Sequence, residues 1–289
     1  MPDWSAVKEQ LADAGVKLAR DAIPTPVSGG DISAAWHLTT DDGDYFIKTG
    51  PPSSAGLFAA EAAGLATIAA SNTIRTPAVV ADGLTETTAY LVLEWLSLER
   101  GNPAVERRLG ERLAAMHRVT KPRFGWHRDN TIGLTPQDNQ WSEDWIEFFG
   151  TQRLGVQLRL AASNGFGGEL QLEGAKLLKR LPVYFDSDEP TASLLHGDLW
   201  AGNWARSGDH PVLFDPAVYY GDRETDLAMT RLFGGFGPAF YLAYEASWPL
   251  GDGYRERQHL YQLYHVLNHL NLFGSAYLAQ AMQLIDELH

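Results

Sequence analysis

The spacing of apolar residues changes near residue 97, and this change limits the possible folds more than any other feature of the chain. In residues 1–96, apolar runs of strand length are separated by turn residues, with helical patterns at 4–20 and 54–70. In residues 97–289 the apolar spacing is mainly helical. We therefore expect an α+β fold of two lobes. The smaller lobe, 1–96, would hold an antiparallel sheet and a helix, and the larger lobe, 97–289, would be mainly helical.

The expected elements can be located along the chain. Asp41-Asp-Gly-Asp44 has the turn chemistry of a hairpin between two strand-like runs, and Tyr90–Leu96 reads as a buried strand. Residues 192–222 hold two short apolar runs, each followed by polar, turn-rich sequence, and we expect a pair of polar loops there. The helical patterns of the larger lobe cover 104–118, 142–161, 168–181, 224–233 and 255–288.

Composition and charge exclude several classes of protein. The 289 residues carry 23 basic and 36 acidic side chains, which gives a formal charge of −13. Because DNA and RNA binding depends on Lys and Arg neutralising phosphates, this balance argues against a nucleic acid partner. The lack of cysteine excludes disulfides, thiolate zinc sites and a cysteine nucleophile. The first residues have no secretory pattern, and Glu61 interrupts the alanine-rich stretch 54–70, so we expect a cytoplasmic chain with no membrane segment.

The first polar loop holds His196-Gly-Asp198 and, five residues after the aspartate, Asn203. This spacing matches a kinase catalytic loop, in which the aspartate receives the proton of the acceptor hydroxyl and the asparagine binds a metal ion. Asp215 follows twelve residues after Asn203, where such enzymes place a second metal-binding carboxylate. Such oxygen ligands suit magnesium bound together with nucleotide phosphates. Either aspartate alone would more often cap a turn, but the order and spacing of all four residues favour catalysis.

Lys48 and Glu61 are candidates for a buried ion pair in the smaller lobe. Lys48 ends the apolar run Tyr45-Phe-Ile-Lys48, where a lysine would ordinarily point to solvent. Glu61 lies on an apolar helical face with Leu57 and Leu65, and a carboxylate in that position is costly unless it is paired. The arrangement resembles the strand lysine and helix glutamate that hold nucleotide phosphates in kinases.

Two further segments complete the predicted nucleotide site. Gly29 and Gly30, in Ser28-Gly-Gly-Asp-Ile-Ser33, are candidates for a loop that covers phosphates, although the segment lacks a third glycine and also fits an ordinary turn. Glu94 and Leu96 lie where the chain leaves the last strand of the smaller lobe, and we expect backbone groups there to contact adenine. No G-x-x-x-x-G-K-[ST] motif occurs in the sequence, which excludes a P-loop.

Longer segments of the sequence resemble the fructosamine kinase (ketosamine kinase) family, a branch of the aminoglycoside and choline phosphotransferase group. The resemblance rests on LLHGDLWAGN at 194–203 and on FDPAVYYGDRETDLAMTRLFGGF at 214–236. FGWH at 124–127, WSEDWIEFF at 141–149 and YQLYHVLNHLNLFG at 261–274 extend it over nearly the whole chain. The tryptophan at 200, the FDPA and the FGGF are the parts most specific to ketosamine kinases.

The resemblance implies a protein-kinase-like fold and an ATP- and Mg²⁺-dependent transfer of phosphate to the third-carbon hydroxyl of a ketosamine. The ketosamine is free or attached to a protein, and its phosphorylated form breaks down and restores the amine. Asp198 would be the base, Asn203 and Asp215 the metal ligands, and Lys48 with Glu61 the pair that holds the phosphates.

The resemblance also extends to residues outside the nucleotide site. It makes Trp200 and His269 candidate sugar contacts and assigns Glu224 and Asp226 to a structural acidic stretch near the catalytic loop. Some relatives carry cysteine in the phosphate loop, whereas this sequence has Asp31, so a cysteine-based redox switch is excluded.

Two other functions stay open at this point. One is a kinase for another small hydroxyl compound, such as an aminoglycoside, choline or a simple sugar. The other is a catalytically silent nucleotide-binding protein, which would have no need of Lys48, Asp198, Asn203 and Asp215. The sequence does not separate a free from a protein-bound amine, or a monomer from a homodimer.

Overall fold

The computed structural model describes residues 2–16, 22–27, 33–40, 43–186 and 189–288. In the smaller lobe the described residues form two α-helices and five strands. In chain order they are α1 (Trp4–Asp13), β1 (Thr25–Val27), β2 (Ala34–Thr40), β3 (Gly43–Gly50), α2 (Ala55–Ala70), β4 (Val79–Leu84) and β5 (Ala89–Glu94). The strands form one antiparallel sheet in the order β1-β2-β3-β5-β4, which confirms the predicted sheet and the β2–β3 pairing.

The sheet lies between the two helices, and β5 shows why its sequence is apolar throughout. Side chains alternate between the two faces of a strand. Leu91 and Leu93 pack with Phe58 of α2 on one face. Tyr90 and Val92 belong to the cluster that contains Leu11 of α1 on the other. A strand covered on both faces has no polar position, so its sequence is a continuous apolar run.

The segment Pro52–Ala70, which includes α2, is long and apolar enough by length and composition to cross a membrane, with a mean hydropathy of 1.3. In the structure α2 packs against the sheet and buries Phe58, Glu61 and Leu65. These are contacts typical of a core helix in a globular lobe. The expectation that the chain has no membrane segment stays a prediction.

The larger lobe is mainly helical, as the apolar spacing predicts. Its helices are α3 (Pro103–His117), α4 (Trp145–Phe148), α5 (Gly155–Ser163), α6 (Glu169–Arg180), α7 (Glu224–Leu232), α8 (Pro238–Ser247), α9 (Tyr254–Phe273) and α10 (Leu278–Glu287). Short strands form three antiparallel pairs, β6 (Asn130–Ile132) with β7 (Thr135–Gln137), β8 (Ser193–Leu195) with β11 (Tyr219–Gly221), and β9 (Trp204–Ser207) with β10 (His210–Leu213). The two polar loops predicted in 192–222 connect the last two pairs.

Two bridges join the smaller lobe and the connection that follows it to strands β9 and β10. Arg75 pairs with Val212 of β10, and Glu99, in the connection between β5 and α3, pairs with Arg206 of β9. The lobe connection therefore lies directly beside the strands that carry the polar loops. The exact division at residue 96 stays a prediction.

Several predicted boundaries differ from the observed ones. The opening helix ends at Asp13 rather than at residue 20, before Gly15, which is a poor helix former. The last predicted helix is two helices, because Gly274 adopts φ 89, a left-handed conformation that stops α9. Helix α8, and a turn of π-helix at Phe149–Leu154, were outside the sequence expectations.

Helix α8 packs closely against α3, and Gly110 allows this close approach. A Cβ atom at Gly110 would lie 2.3 Å from the carbonyl oxygen of Phe240 and 2.9 Å from the backbone nitrogen of Tyr244. Both neighbours are backbone atoms of α8, so neither can move without shifting the helix.

We expect Gly110→Ala to lower the free energy of unfolding by about 1–3 kcal/mol or more, because the added methyl group forces the two helices apart. The matched control is Gly56→Ala in α2, where a Cβ would meet no atom within 4 Å. That change should leave stability unchanged or raise it by up to about 1 kcal/mol, since alanine favours a helix over glycine. Urea unfolding followed by circular dichroism measures both. Equal stabilities of the two variants would contradict this account of the α3–α8 contact.

Candidate active site

The loop after β8 carries the predicted catalytic residues, and its backbone is held in an unusual conformation. Gly197 has φ 85, and a Cβ there would lie 2.0 Å from the carbonyl oxygen of Ala217, so only glycine fits. His196 joins the two polar loops, because its Nε2 lies 3.0 Å from the carbonyl oxygen of Phe214. These contacts fix the path of the chain on both sides of Asp198.

Asp226 of α7 holds this loop in place through hydrogen bonds to its backbone. Its two carboxylate oxygens accept hydrogen bonds from the backbone N–H groups of His196 and Gly197, each at 2.8 Å. Oδ2 also lies 3.1 Å from Nε2 of His117, whose Nδ1 is 2.8 Å from the hydroxyl of Tyr244. Burial alone would raise the pKa of Asp226, but its hydrogen bond to His117, the charge of that histidine and the Gly197 amide together lower the pKa below its ordinary value.

The sequence did not reveal this anchor in full. The family resemblance placed Asp226 in a structural acidic stretch, but His117 and Tyr244 were not singled out. They lie on α3 and α8, more than a hundred residues apart along the chain, and nothing in their local sequence indicates that they share one carboxylate.

Asp198 and Asn203 lie side by side at the end of the loop. The amide nitrogen of Asn203 donates to the backbone carbonyl of Asp198 at 2.9 Å and to its Oδ2 at 3.2 Å. The same nitrogen lies 3.4 Å from the backbone oxygen of Asp215, so it connects both loops. Asp198 is half-buried, and burial followed by the negative charges of Asp215 and Asp226 raises the pKa of Asp198 to about 7, against a smaller opposing effect of Asn203.

Lys48 of β3 meets two carboxylates. Its Nζ lies 2.8 Å from Oε1 of Glu61 on α2 and 2.5 Å from Oδ1 of Asp215. Asp215 has φ 54, a backbone conformation that non-glycine residues rarely adopt and that often occurs at functional sites. The structure therefore brings together the strand lysine, the helix glutamate and the aspartate of the second loop, which the sequence placed in three separate segments.

The charges of this triad do not balance. Burial alone would lower the pKa of Lys48, but the nearby charges of Glu61 and Asp215 raise it, so Lys48 remains an ammonium. Burial raises the pKa of Glu61, the charge of Asp215 adds to this rise, and Lys48 opposes it. One ammonium group thus pairs with two carboxylates, and this arrangement favours binding of a further cation at the site.

Asn203 and Asp215 have the donor chemistry of an open magnesium site. The Asn203 amide nitrogen is bonded to Asp198, and its Oδ1 has no hydrogen-bond partner among the described residues. The Asp215 side chain is 43% exposed despite its contact with Lys48. Within the described ranges no three His, Asp or Glu side chains form a group that could enclose a metal. Two hard oxygen donors without a closed cage suit Mg²⁺, which keeps other ligands for water and phosphates.

The predicted adenine contacts lie on the connection between the lobes. The Glu94 side chain is held by Arg75, at 2.9 Å, and by the backbone nitrogen of Ala78, at 3.2 Å. Leu96 has no hydrogen bond through its backbone nitrogen or oxygen in the part of the chain that the structure describes. Its backbone groups are therefore available to a ligand. Gly29 and Gly30 lie outside the described residues.

The two candidate sugar contacts differ in setting. Trp200 is exposed next to Asp198, and its ring covers Gly202, where a Cβ would lie 2.3 Å from the indole. His269 of α9 is half-buried, and its Nδ1 lies 2.8 Å from the carbonyl oxygen of His265. Burial lowers the pKa of His269, and the hydrogen bond to His265 opposes this only in part. The lowered pKa keeps the imidazole neutral at physiological pH. Trp200 thus packs on its own loop without entering the core.

We expect Asp226→Asn to reduce the free energy of unfolding by about 3 kcal/mol or more, because the amide group cannot accept hydrogen bonds from both loop N–H groups and a buried donor is left unpaired. Since folding lowers the pKa of Asp226, its contribution is present at neutral pH and is lost as the pH falls through the folded-state pKa. Urea unfolding across this pH range measures the effect.

Asp209→Asn provides the matched control, because Asp209 is exposed in the turn between β9 and β10. The same chemical change there should alter stability by less than about 0.5 kcal/mol. An Asp226→Asn protein as stable as this control would contradict the role of Asp226 as an anchor.

Comparison with known proteins agrees with this geometry. The sequence model of the fructosamine kinase family matches residues 3–289. A protein of Synechocystis sp. named "Probable ketoamine kinase" is 42% identical over 286 residues, which cover 98% of this chain and 96% of the relative. A chloroplastic protein-ribulosamine 3-kinase of Arabidopsis thaliana is 43% identical over 267 residues, covering 90% of this chain and 81% of the relative.

Solved structures give the fold independently. The crystal structure of a fructosamine-3-kinase homologue from Thermobifida fusca has a TM-score of 0.88 and 32% identity, and the match covers 98% of both chains. An aminoglycoside phosphotransferase in a ternary complex with ADP and hygromycin B has a TM-score of 0.66 at 14% identity, covering 98% of this chain and 96% of the other. This second likeness shows the fold alone, which is the protein-kinase-like fold of the phosphotransferases. With a family match over nearly its whole length and relatives above 40% identity, the chain belongs to the fructosamine kinase family.

Proposed function

We propose that the chain transfers the terminal phosphate of ATP to the 3-hydroxyl of a ketosamine, and that Asp198 receives the proton of that hydroxyl. The observation that carries the proposal is the meeting of Lys48, Glu61 and Asp215 beside the Asp198–Asn203 pair, at 2.5 to 3.2 Å for the contacts within each group. Family membership supports the substrate class, and the name of the Arabidopsis relative supports the 3-hydroxyl.

Phosphoryl transfer depends mainly on positioning the reactants and neutralising the phosphate oxygens. Lys48 would bind the phosphates, while Glu61 holds its ammonium in place from α2. Asn203 and Asp215 would hold Mg²⁺, which when bound neutralises negative charge on the phosphates. With Asp215 bound to the metal ion, Glu61 would remain as the partner of Lys48.

Asp198 would orient the attacking hydroxyl and take its proton. As the substrate oxygen forms its bond to the phosphorus atom, the bond from phosphorus to the departing ADP oxygen breaks, and the hydroxyl proton passes to Asp198. A carboxylate with a raised pKa is the stronger base, so the pKa of about 7 suits this role at neutral pH.

The remaining predicted contacts would bind the two substrates, ATP and the ketosamine. Glu94 and Leu96 would meet adenine through backbone groups. The unbonded backbone of Leu96 supports its assignment, whereas the backbone N–H of Glu94 already donates to the carbonyl oxygen of Ala78. Gly29 and Gly30 would cover the phosphates. Trp200 would stack on the sugar carbons, and the exposure of its ring next to Asp198 supports this.

The substrate could differ in detail while the family chemistry is the same, since pockets change more readily than folds. An aminoglycoside, choline or simple sugar as acceptor is the main alternative. A silent nucleotide-binding protein is disfavoured by the contacts that Lys48, Asp198, Asn203 and Asp215 all retain. The ketosamine would be free or protein-bound. A cytoplasmic location and the lack of a nucleic acid partner stay predictions from sequence and charge.

The test is ADP formation by the purified chain with Mg²⁺ and ATP in the presence of a panel of acceptors. We expect ribulose-, erythrulose- or fructose-derived lysine adducts to stimulate ADP formation by about tenfold or more over the rate without acceptor, because a bound hydroxyl is better positioned for attack than water. Stimulation by choline or an aminoglycoside alone would contradict the proposal, and no stimulation by any acceptor would favour the silent protein.

Two variants separate the roles within the site. Asp198→Asn should lower turnover about a hundredfold or more and leave Mg²⁺–ATP binding nearly intact, because the amide keeps the shape but cannot accept the proton. Asp215→Ala should weaken Mg²⁺–ATP binding and turnover together, because the carboxylate would be a metal ligand. Calorimetry with a non-hydrolysable ATP analogue measures binding. Near-normal turnover of Asp198→Asn, or parental binding by Asp215→Ala, would remove that residue from its assigned role.

A further inference from the structure

Exposed aromatic side chains are concentrated in one region of the molecule. Among the described residues, the exposed Trp, Phe and Tyr side chains are Trp200, Phe233 and Phe273, which are 38%, 41% and 62% exposed. The other large apolar side chains that are exposed are aliphatic and come from separate parts of the fold, namely Ile23, Leu84, Leu98, Leu134, Leu172, Val183 and Leu242. Single exposed aliphatic residues are normal, but grouped exposed aromatic rings indicate a binding surface.

Phe233 and Phe273 belong to a continuous group of rings around His269. The His269 ring centre lies 4.8 Å from that of Phe233, 5.5 Å from that of Phe273 and 5.2 Å from that of Tyr277. Phe273 is one helical turn after His269, and the break at Gly274 brings Tyr277 back against both rings. We call Phe233, His269, Phe273 and Tyr277 the aromatic shelf.

The aromatic shelf is connected to the catalytic loop. The loop that begins at Phe233 approaches the loop of Asp198 so closely that a Cβ at Gly235 would lie 2.3 Å from the Cβ of Ala201. Ala201 directly follows Trp200 and begins the turn that ends at Asn203. The loop that begins at Phe233 of the shelf is therefore in contact with the loop that carries Trp200, the predicted sugar contact.

The shelf suits a group that is apolar along its length and positively charged at one point. Aromatic faces attract a cation and also bury methylene groups. No Lys or Arg of the described chain lies over any of the four rings, although eight such contacts occur elsewhere. His269 is neutral, so it does not repel a cation.

We propose that the aromatic shelf binds the amine-bearing arm of the ketosamine and makes the enzyme select adducts of a long alkyl amine, such as a lysine side chain, over adducts of a small amine. This inference rests on the proposed function. A ketosamine joins its sugar to a secondary amine that is protonated at neutral pH. With the sugar at Trp200, the cationic nitrogen and the methylene chain of lysine extend over the shelf, and the occupant is the substrate's own arm.

The test compares two substrates that share one sugar and differ only in the amine. One is the ribulose adduct of methylamine, and the other is the ribulose adduct of a lysine within a short peptide. In the parent enzyme with saturating Mg²⁺–ATP, we expect the lysine adduct to have the lower KM. Phe273→Ala should raise the KM of the lysine adduct about fivefold or more, as expected for the loss of one cation–π and methylene contact, and change the KM of the methylamine adduct less than about twofold.

Three controls sharpen the comparison. Phe273→Tyr keeps the ring and should restore the parental KM for the lysine adduct. Leu242→Ala removes another exposed apolar side chain, 72% exposed against 62% for Phe273, from α8 and should change neither KM. The KM for ATP and the thermal midpoint should be the same in all variants, since Phe273 is exposed and is not among the residues assigned to the nucleotide site.

Equal KM values for Phe273→Ala and the parent on both adducts, or equal losses on both, would overturn the inference while leaving the proposed function intact. A change in oligomeric state on Phe273→Ala, measured by light scattering, would assign the shelf to contact with a second copy and would also overturn it. Failure of the parent to phosphorylate either adduct would contradict the proposed function itself, and the inference with it.

Discussion

The arrangement of the active site depends on one buried carboxylate, that of Asp226. It accepts hydrogen bonds from two consecutive backbone N–H groups, at His196 and Gly197, and it also contacts Nε2 of His117 on α3. The loop at Gly197, which adopts a left-handed conformation, is not part of a helix or a sheet whose backbone carbonyls could accept hydrogen bonds from these N–H groups. An unpaired buried N–H group is costly. The Asp226 carboxylate accepts both hydrogen bonds and so fixes the backbone conformation just before Asp198.

The same region concentrates more negative charge than positive. The negative charges of Asp215 and Asp226 act on Asp198, and Lys48 is shared between Asp215 and Glu61. Burial raises the pKa of Asp198, and the negative charges of Asp215 and Asp226 add to this rise. The excess of negative charge also favours binding of a cation between the loops. The negative charge near Asp198 thus contributes to its basicity at neutral pH, and it also makes the site suit magnesium with a nucleotide, because the incoming cation offsets charge that the protein leaves uncompensated.

The sequence predicted the parts of this arrangement that depend on local pattern. The change of apolar period gave the two lobes and most helices, and the fixed spacing of Asp198, Asn203 and Asp215 located the loops. Glu61 could be paired with Lys48 because a carboxylate in an apolar helical face needs a partner. By contrast, α8 was missed, and so was its tyrosine that bonds to His117, because their contacts join distant helices and leave no periodic trace. Of the aromatic shelf, the sequence analysis predicted a substrate contact only at His269, because the exposure of Phe233 and Phe273 is known only from the structure.

The central claim is that Asp198 is a proton acceptor whose pKa is raised by burial and by the neighbouring carboxylates. The most direct measurement of this claim is the pH dependence of turnover. Protonated Asp198 cannot accept a proton, so kcat/KM for Mg²⁺–ATP, which reports the free enzyme, should fall about tenfold per pH unit below a midpoint near pH 7. At saturating Mg²⁺–ATP the cation offsets the charge of Asp215, and the midpoint of kcat should move to lower pH. The residual activity of Asp198→Asn should lack this acid limb. A parental profile that is flat between about pH 5.5 and 8.5, or an unchanged acid limb in Asp198→Asn, would contradict the account.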